Sequence, residues 1–479
     1  MTNAASAKAR AVREPSPVQA TDPATELAAA VRRGEVSSVE LLDLYLDRID
    51  HLGGDINAVV TLDVDRARAA CAAADAALAR GDEVGPLHGL PITVKDAVET
   101  AGIRSTGGAV ELTEHVPADD APVVARVKAA GAVVFGKTNL PRWSGDLQSY
   151  NEIFGTTSNP WDTSRVPGGS SGGPAAAVAC GFTSFEIGTD IAGSIRIPSH
   201  FCGTFGLQPS YGVVSQRGYL DHVGGGTTDA DINVFGPMAR SAGDLDRLLD
   251  VMAGPDADRS VGWRLELPPS TVDSLSGARV AVWFDEAAYP IDGEYRAVLG
   301  RAADALADAG AAVEEAHPPV AMAEQVGLFM AMIAPAVSPS MPDDVAHVMA
   351  GSHRDWLRLE QQRAAVRARW AEWFSNWDVV LAPVSPTPAF RHDQEGDLST
   401  RMIEVNGEAR PYLDNIAWTG LIGIVGLPSA VPPLGPTASG LPVGVQVVAP
   451  YLHDRTALRV AGLIAETVDG AGYRVPPGF

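Results

Sequence analysis

Two glycine-rich segments of the chain carry serines in a setting that suits acyl transfer. Residues 168–173 read Gly-Gly-Ser-Ser-Gly-Gly, and residues 188–196 read Gly-Thr-Asp-Ile-Ala-Gly-Ser-Ile-Arg. Glycine tolerates backbone conformations that other residues avoid, so the N–H groups of such a turn can converge on one oxygen. Converging donors stabilise the oxyanion that forms when a serine attacks a carbonyl, at about 3 kcal/mol of barrier each. We therefore predict that Ser194, in the second turn, is the nucleophile.

The base that activates this serine is predicted to be Lys95. A serine hydroxyl is a weak nucleophile on its own, and no histidine other than His200 lies close to either glycine-rich segment. A lysine can replace histidine where burial lowers its pKa and leaves the amine uncharged. Lys95 follows the apolar residues 90–94, which are predicted to form a strand. Ser170 can then pass a proton between the lysine and the nucleophile.

Three other interpretations of these segments remain open. Residues 168–172 also fit G-x-S-x-G, the nucleophile elbow of α/β-hydrolases, which would make Ser170 the nucleophile. Against this, residues 165–167 do not read as the buried strand that such a turn requires. Cys202 lies close to Ser194 in the sequence and is a possible thiol nucleophile, although no histidine or asparagine partner is evident. A binding protein that keeps the fold without activity is the third interpretation.

The same segments resemble the signature motif of a known family, the amidase signature enzymes. Gly-Gly-Ser-Ser-Gly-Gly followed by Gly-Thr-Asp-Ile-x-Gly-Ser-Ile-Arg-x-Pro is highly specific to that family. The separations of 24 residues between Ser170 and Ser194 and of 75 residues between Lys95 and Ser170 are also similar to the family's. The resemblance covers most of the chain and includes Leu87-His88-Gly89-Leu90-Pro91, Gly136-Lys137-Thr138-Asn139-Leu140-Pro141, Asn159-Pro160-Trp161-Asp162, Phe201-Cys202-Gly203 and Gly440-Leu441-Pro442-Val443-Gly444-Val445-Gln446.

The resemblance implies a Ser–cisSer–Lys triad, with Ser194 as nucleophile, Ser170 as proton relay and Lys95 as base. The peptide bond between Gly169 and Ser170 would be cis. Ser171 would support the triad by hydrogen bonding. No metal and no organic cofactor are implied. The oxyanion would be held by the main-chain N–H groups of Ile191, Ala192, Gly193 and Ser194.

Two residues depart from the family pattern, and two others are assigned a structural role. Ala192 stands where the family usually has glycine, so its N–H donates only if the backbone there avoids positive φ. Pro174 replaces a residue that is often serine or glutamate, and proline suits the start of a helix. Arg196 is expected to form an ion pair with Asp190, not to bind the substrate.

The elements that must position these residues alternate between strand and helix. Residues 90–96 and 132–136 are predicted as strands with a helix over 123–130, and a strand–helix–strand pattern recurs over 278–316. Residues 320–376 are predicted to be mostly helical. The alternation indicates an α/β fold. The resemblance implies a single large domain, with a twisted mixed β-sheet covered on both faces by α-helices.

The domain is expected to span residues 23–479, after a disordered N-terminal tail at residues 1–22 that is rich in Ala, Pro, Ser and Thr. Its signature core is placed at about residues 80–250. The variable helical segment at about 320–376 is expected to lie over the site.

Composition limits the partners and the compartment. The chain has 479 residues and a net charge of −23, which argues against a nucleic-acid partner because such a partner requires a basic surface. No apolar run approaches the roughly 18 residues of a membrane span, and the N-terminus does not read as a secretory signal. The three cysteines give no disulfide framework or metal-ligand spacing, and they are predicted to be buried and reduced. A cytoplasmic enzyme is therefore expected.

Specificity is expected to come from loops over the site. The candidate lining residues are apolar or aromatic, namely Trp143, Leu147, Tyr150, Ile153, Phe154, Trp418, Leu421 and Ile422. Such a lining favours an apolar or aryl amide, cleaved to a carboxylate and an amine or ammonia. Esters and carbamates present a similar carbonyl and remain alternatives. So does a subunit of the amidotransferase type that works on charged tRNA in a complex, which often has glutamine where this chain has Ile197. A homodimer is plausible.

Overall fold

The computed structural model describes residues 18–479. The predicted tail, residues 1–22, lies mostly outside this range, and in its described part Val18 and Ala20 are buried. The α-helices of the described residues are α1 (Ala24–Arg33), α2 (Ser38–Leu52), α3 (Val64–Arg80), α4 (Pro122–Ala129), α5 (Gly172–Ala179), α6 (Arg196–Cys202), α7 (Ala242–Met252), α8 (Gly293–Asp308), α9 (Met322–Val337), α10 (Asp343–Ala350), α11 (His353–Trp373), α12 (Ala417–Gly423) and α13 (Asp454–Thr467).

The strands are mostly short, and they alternate with the helices along much of the chain. They are β1 (Val59–Leu62), β2 (Pro91–Lys95), β3 (Val133–Thr138), β4 (Tyr150–Asn151), β5 (Gly155–Thr156), β6 (Glu186–Asp190), β7 (Phe205–Gln208), β8 (Val234–Ala239), β9 (Arg279–Val282), β10 (Ala312–Glu315), β11 (Val379–Ala382), β12 (Met402–Val405), β13 (Glu408–Pro411), β14 (Ser429–Val431), β15 (Pro433–Pro436), β16 (Pro442–Gly444) and β17 (Gln446–Val448).

A large mixed β-sheet forms the centre of the molecule. Its eight strands follow the order β10-β9-β11-β17-β14-β7-β8-β6. The pairs β10–β9 and β9–β11 are parallel, and the remaining pairs are antiparallel. A separate three-stranded sheet, β1-β3-β2, adjoins the large sheet where β2 packs beside β6. One hydrophobic cluster includes residues from Val18 to Val468. The mixed sheet and its surrounding helices confirm the predicted α/β fold.

Local sequence signals explain several element boundaries. The Ser37 side chain accepts a hydrogen bond from the N–H of Glu40, and the Glu40 side chain accepts one from the N–H of Ser37, so a capping box defines the N-terminus of α2. Helix α5 begins at Gly172, two residues before Pro174, which fits the first turn because it lacks an N–H. Residues 320–376 are largely helical, as predicted.

The fold brings four chain segments to one point. Strands β2 and β6 lie side by side and end at Lys95 and Asp190. Ser170 directly precedes the turn that opens α5, and Ser194 lies just before α6. The ends of two buried strands and the starts of two buried helices therefore surround the predicted site. Within residues 18–479, no helix combines the length and the apolar character needed to cross a bilayer.

Candidate active site

Lys95 is fully buried at the end of β2, and three hydroxyl groups surround its amine. The Nζ atom lies 2.6 Å from Ser170 Oγ, 2.7 Å from Thr189 Oγ1 and 3.1 Å from Ser171 Oγ. Burial lowers the pKa of Lys95 well below its usual value, against the opposing influence of the carboxylates of Asp190 and Glu186. The shift favours the uncharged amine, which is the form that acts as a base.

The hydrogen bonds around Lys95 direct its lone pair. An uncharged amine has two N–H donors and one acceptor site. Ser171 donates its own proton to the Thr189 carbonyl at 3.2 Å, so its oxygen can accept one amine N–H. If Thr189 Oγ1 accepts the other, the lone pair is left for the hydroxyl of Ser170. Thr189 thus orients the Lys95 amine toward Ser170.

Thr189 was missing from the residues predicted from the sequence. The quoted motif contained it, in Gly-Thr-Asp, but a threonine in a strand is usually explained by strand propensity alone. Only the packing of β6 beside β2 shows that this hydroxyl meets the lysine.

Thr189→Val is expected to lower kcat by about 10- to 100-fold, because the base loses one of its two orienting acceptors. Thr189 also stabilises the protonated amine by accepting from it, so the acid limb of the pH–rate profile should move to lower pH. Steady-state kinetics across pH measures both effects. Thr204→Val is the matched control, since the buried Thr204 hydroxyl has no hydrogen-bond partner in residues 18–479. An unchanged profile for Thr189→Val would contradict its positioning role.

The Gly169–Ser170 peptide bond is cis, as the family resemblance implied. A side chain at position 169 would collide with main-chain atoms, because an added Cβ would lie 2.5 Å from the Asp146 carbonyl oxygen. The Ser171 N–H donates to the Ser194 carbonyl at 3.1 Å, which joins the two glycine-rich segments. The arrangement leaves room only for glycine at this point and places both segments next to Lys95.

The turn before Ser194 presents three unpaired main-chain donors. In residues 18–479, the N–H groups of Ile191, Ala192 and Ser194 have no acceptor. The N–H of Gly193 differs, because it donates to Asp190 Oδ1 at 2.7 Å. The prediction that Gly193 helps to hold the oxyanion is therefore corrected: a carboxylate already occupies this donor. Ala192 is not among the residues with positive φ, so alanine is compatible with the turn.

Gly193 has a different role, which is conformational. Its φ is +112°, in a region that side chains avoid, and an added Cβ would lie 2.6 Å from Thr419 Oγ1. Thr419 in turn donates to the Ala192 carbonyl at 2.7 Å. Helix α12 therefore packs, through Thr419, against the turn that precedes Ser194.

Ser194 is 5% exposed, so its hydroxyl is close to the surface of a mostly buried site. Among the described residues, nothing forms a hydrogen bond with its Oγ. The hydrogen bond from Lys95 to Ser170 is thus present, whereas the Ser170 and Ser194 hydroxyls share none in this structure. Such bonds often become aligned only when substrate binds.

Asp190 and Arg196 form the predicted ion pair, with distances of 2.9 and 3.0 Å and both side chains fully buried. Although burial opposes ionisation, the Arg196 guanidinium holds the pKa of Asp190 below its usual value. Arg196 also donates to the Thr419 carbonyl and to Gln446 Oε1, each at 2.8 Å. The pair fixes the turn that carries Ser194 and leaves no free charge for a substrate.

The predicted lining residues have varied surroundings. Trp418 is fully buried, donates to the Tyr289 carbonyl at 3.2 Å and packs edge-on against Trp283 at 5.7 Å, as a core residue does. Phe154 lies under the Arg104 guanidinium at 5.1 Å. Leu147, Leu421 and Ile422 are buried in the main hydrophobic cluster, while Ile153 is half-buried.

Tyr150 belongs to a polar cluster. Its hydroxyl donates to Asp146 at 3.1 Å and accepts from Arg401 at 3.0 Å. Trp143 is the predicted residue with the most unusual backbone, because its φ is +52°. The residues of this set thus differ in polarity and burial, and their role as a shared substrate lining stays a prediction.

The alternative nucleophile and base have unsuitable surroundings. The Cys202 thiol is fully buried, and burial raises its pKa, so the thiolate is disfavoured. Burial lowers the pKa of His200 to about 4, and its Nδ1 accepts from the Gly444 N–H at 2.8 Å. Residues 165–167 form no strand that could lead into a nucleophile elbow. All three cysteines are free and buried, as predicted.

Comparisons with known proteins agree on one family. The family model for amidases matches residues 40–341 and 329–458. A glutamyl-tRNA(Gln) amidotransferase subunit of Chromohalobacter salexigens is 33% identical over 488 residues, covering 93% of this chain and 96% of that protein.

Two solved structures are similar over nearly the whole chain. A bacterial aryl acylamidase of the amidase signature family has a TM-score of 0.82 at 25% identity, covering 93% of this chain and 96% of that one. A protein from a vestigial complex that bears on the origin of an s-triazine catabolic enzyme has a TM-score of 0.82 at 28% identity, covering 95% and 100%.

Proposed function

This chain belongs to the amidase family, the amidase signature enzymes, and acts on C–N amide bonds; from that premise we propose that it cleaves a carboxylic amide through an acyl-enzyme on Ser194. The observation that carries the proposal is the buried Lys95 amine, 2.6 Å from Ser170 Oγ. Within residues 18–479 this amine has no ion-pair partner, and it is oriented toward a serine. Its chemistry is that of a general base.

The proposed reaction proceeds in two halves. Uncharged Lys95 takes the proton of Ser170, Ser170 takes that of Ser194, and Ser194 Oγ attacks the substrate carbonyl. The N–H groups of Ile191, Ala192 and Ser194 hold the oxyanion. The proton then returns by the same route to the leaving nitrogen, and the C–N bond breaks. Water, activated in the same way, hydrolyses the acyl-enzyme and restores both hydroxyls.

The kcat/KM for amide hydrolysis is expected to fall as the pH is lowered. Lys95 is uncharged above its shifted pKa and binds a proton below it, so acid removes the base. The acid limb should change about tenfold per pH unit, as one ionisation requires. Measuring kcat/KM between about pH 5 and about pH 10 tests this expectation. Activity that rises toward acid pH would exclude Lys95 as the base.

The first candidate substrate is a small amide, with apolar or aryl amides favoured and esters or carbamates as alternatives. The similarity to an aryl acylamidase supports it.

The second candidate function is that of an amidotransferase component that draws ammonia from an amide donor. The identity to a glutamyl-tRNA(Gln) amidotransferase subunit over almost the whole chain favours it, and more directly than any comparison favours the first candidate. The net charge of −23 indicates that other subunits would contact the tRNA.

A panel of amides distinguishes the candidates. Ammonia or amine release is measured from glutamine, benzamide and 4-nitroacetanilide, with Ser194→Ala as the blank. A small-molecule amidase turns over benzamide or the anilide without other proteins. An amidotransferase component prefers glutamine and responds to added partner subunits and glutamyl-tRNA. If the wild-type protein exceeds the blank with none of these substrates under any of these conditions, the proposed function is wrong.

A further inference from the structure

A buried serine outside the predicted triad, Ser149, contacts the chain on both sides of Ser170. Ser149 directly precedes β4 and is 1% exposed. Its Oγ donates a hydrogen bond to the Gly168 carbonyl at 3.0 Å and accepts one from the Gly172 N–H at 3.1 Å. These two glycines lie two residues before and two residues after Ser170. One side chain therefore links both ends of the segment 168–172, at whose centre Ser170 lies.

The Ser149 hydroxyl uses its proton and a lone pair in these two contacts. A serine hydroxyl has one proton to donate, and the Gly168 carbonyl is nearer to Ser149 Oγ than the Ser170 carbonyl, which lies at 3.5 Å. The N–H that it accepts belongs to Gly172, the first residue of α5, where the helix itself offers no acceptor. Removing the hydroxyl would deprive two buried main-chain groups of this partner.

Ser149 is itself held by the strands that carry Lys95. Its carbonyl accepts from the Thr157 N–H at 2.8 Å, and Thr157 Oγ1 accepts from Asn139 Nδ2 at 3.0 Å. Asn139 follows the last residue of β3, and β3 pairs in parallel with β2, whose last residue is Lys95. A short series of hydrogen bonds thus connects the segment of Ser170 to the strand pair that ends at Lys95.

The chain before Ser170 has little stiffness of its own. Residues 168 and 169 are both glycine, and Gly168 has a φ of +86°, a conformation that other residues avoid. The hydrogen bond of 2.6 Å between Lys95 Nζ and Ser170 Oγ depends on where this main chain places Ser170. Proton transfer requires the two heavy atoms to lie within about 3.2 Å of each other. An external contact that fixes the segment therefore acts on the proton transfer and not on the affinity for an amide.

We propose that Ser149 is a positioning residue, which holds the segment 168–172 so that the Ser170 hydroxyl stays within hydrogen-bond distance of the Lys95 amine. The inference rests on the proposed function and extends it from the residues that would transfer the proton to the residue that holds one of them in place. Ser149 takes no part in the proposed proton transfers, so its effect passes through Ser170.

Ser149→Ala is expected to lower kcat for the best amide of the panel by about 10- to 100-fold, because Ser170 is no longer held at the distance that proton transfer requires. KM should stay within about twofold of the wild-type value. Ser149→Cys should lose less, because a thiol is a weaker donor and acceptor that still fills the site. Steady-state kinetics measures both variants, and urea unfolding shows that they are folded. If Ser149→Ala does not fold, Ser149→Cys provides the test.

A double-variant cycle separates positioning from a general structural role. The readout is the rate at which an alkyl fluorophosphonate labels Ser194, with and without Ser170→Ala. Once Ser170→Ala is present, adding Ser149→Ala should slow labelling by less than about twofold, since the residue through which Ser149 acts is gone. A general loss of structure would instead slow labelling by the same factor in both backgrounds.

The matched control is Ser38→Ala, which removes another fully buried serine hydroxyl. Ser38 Oγ donates to the Gly89 carbonyl at 2.6 Å, near the end of β2 opposite Lys95. This variant should keep kcat within about twofold of the wild-type value. The proposal is overturned if Ser149→Ala keeps kcat as Ser38→Ala does, if its loss appears in KM, or if its effect on labelling persists with Ser170→Ala. Failure of the proposed function is seen separately, as wild-type protein that neither cleaves an amide nor is labelled at Ser194.

Discussion

Ser194→Ala and Lys95→Met are each expected to lower kcat for the best amide of the panel by at least about 10⁴-fold. The first change removes the atom that forms the acyl-enzyme. The second replaces the amine by an apolar chain of similar length, so the relay has no base. Residues that act as one unit are not additive, so the double variant should be little worse than either single variant. Single-turnover and steady-state assays measure the loss.

Two matched control variants distinguish a loss of catalysis from a loss of core packing. Ser199→Ala changes another buried serine, on α6, whose hydroxyl has no hydrogen-bond partner in the described residues. Lys137→Met changes a second fully buried lysine, whose Nζ contacts the Val98 carbonyl and Thr100 but none of the site serines. Both controls should lose far less kcat than the triad variants. A Lys95→Met protein that retained kcat within about tenfold of the wild-type value would remove Lys95 from the mechanism.

Asp190→Asn is expected to destabilise the protein by about 3–5 kcal/mol, because it leaves the buried Arg196 guanidinium without a counter-charge. The N–H groups of Gly193 and Ile195 also lose a charged acceptor. Equilibrium urea unfolding measures the change. Replacing both partners, as Asp190→Asn with Arg196→Met, should cost less than the sum of the two single changes. An additive double variant would contradict the pairing.

The surface pair Arg358–Asp355 is the control for this prediction, since both side chains are 59% exposed. Asp355→Asn should change the unfolding free energy far less than Asp190→Asn does, because solvent screens an exposed ion pair. Because the pKa of Asp190 lies below its usual value in the folded protein, its contribution to stability is present above the unfolded pKa. The contribution is lost as the pH falls through the folded pKa.

The sequence was sufficient to predict the fold class and the approach of Lys95 to Ser170, because both depend on features that are local or widely spaced in a fixed order; the catalytic roles of Lys95, Ser170 and Ser194 stay predictions. The glycine-rich turns specify converging amides, the apolar strand before Lys95 specifies burial, and the alternation of strand and helix specifies an α/β fold. The ion pair of Arg196 with Asp190 followed from the motif.

The sequence could not show which main-chain N–H groups of the turn before Ser194 are already bound to protein acceptors. Gly193 was predicted to hold the oxyanion, but the Asp190 carboxylate, which is also needed by Arg196, takes its N–H. The role of Thr189 depends on β6 lying beside β2. Trp418 illustrates a further difficulty, because an aromatic residue in a core and one lining a site have the same pattern.

The most direct test of the central claim is labelling with an alkyl fluorophosphonate followed by peptide mass spectrometry. Fluoride leaves as the probe's phosphorus bonds to an activated serine oxygen. We expect one adduct, on the peptide containing Ser194, formed rapidly by the wild-type protein and at least about 10³-fold more slowly by Lys95→Met, which has no base to activate the serine. An adduct on Ser170 instead, or labelling of Ser194 at the same rate in Lys95→Met, would contradict the assignment of nucleophile and base.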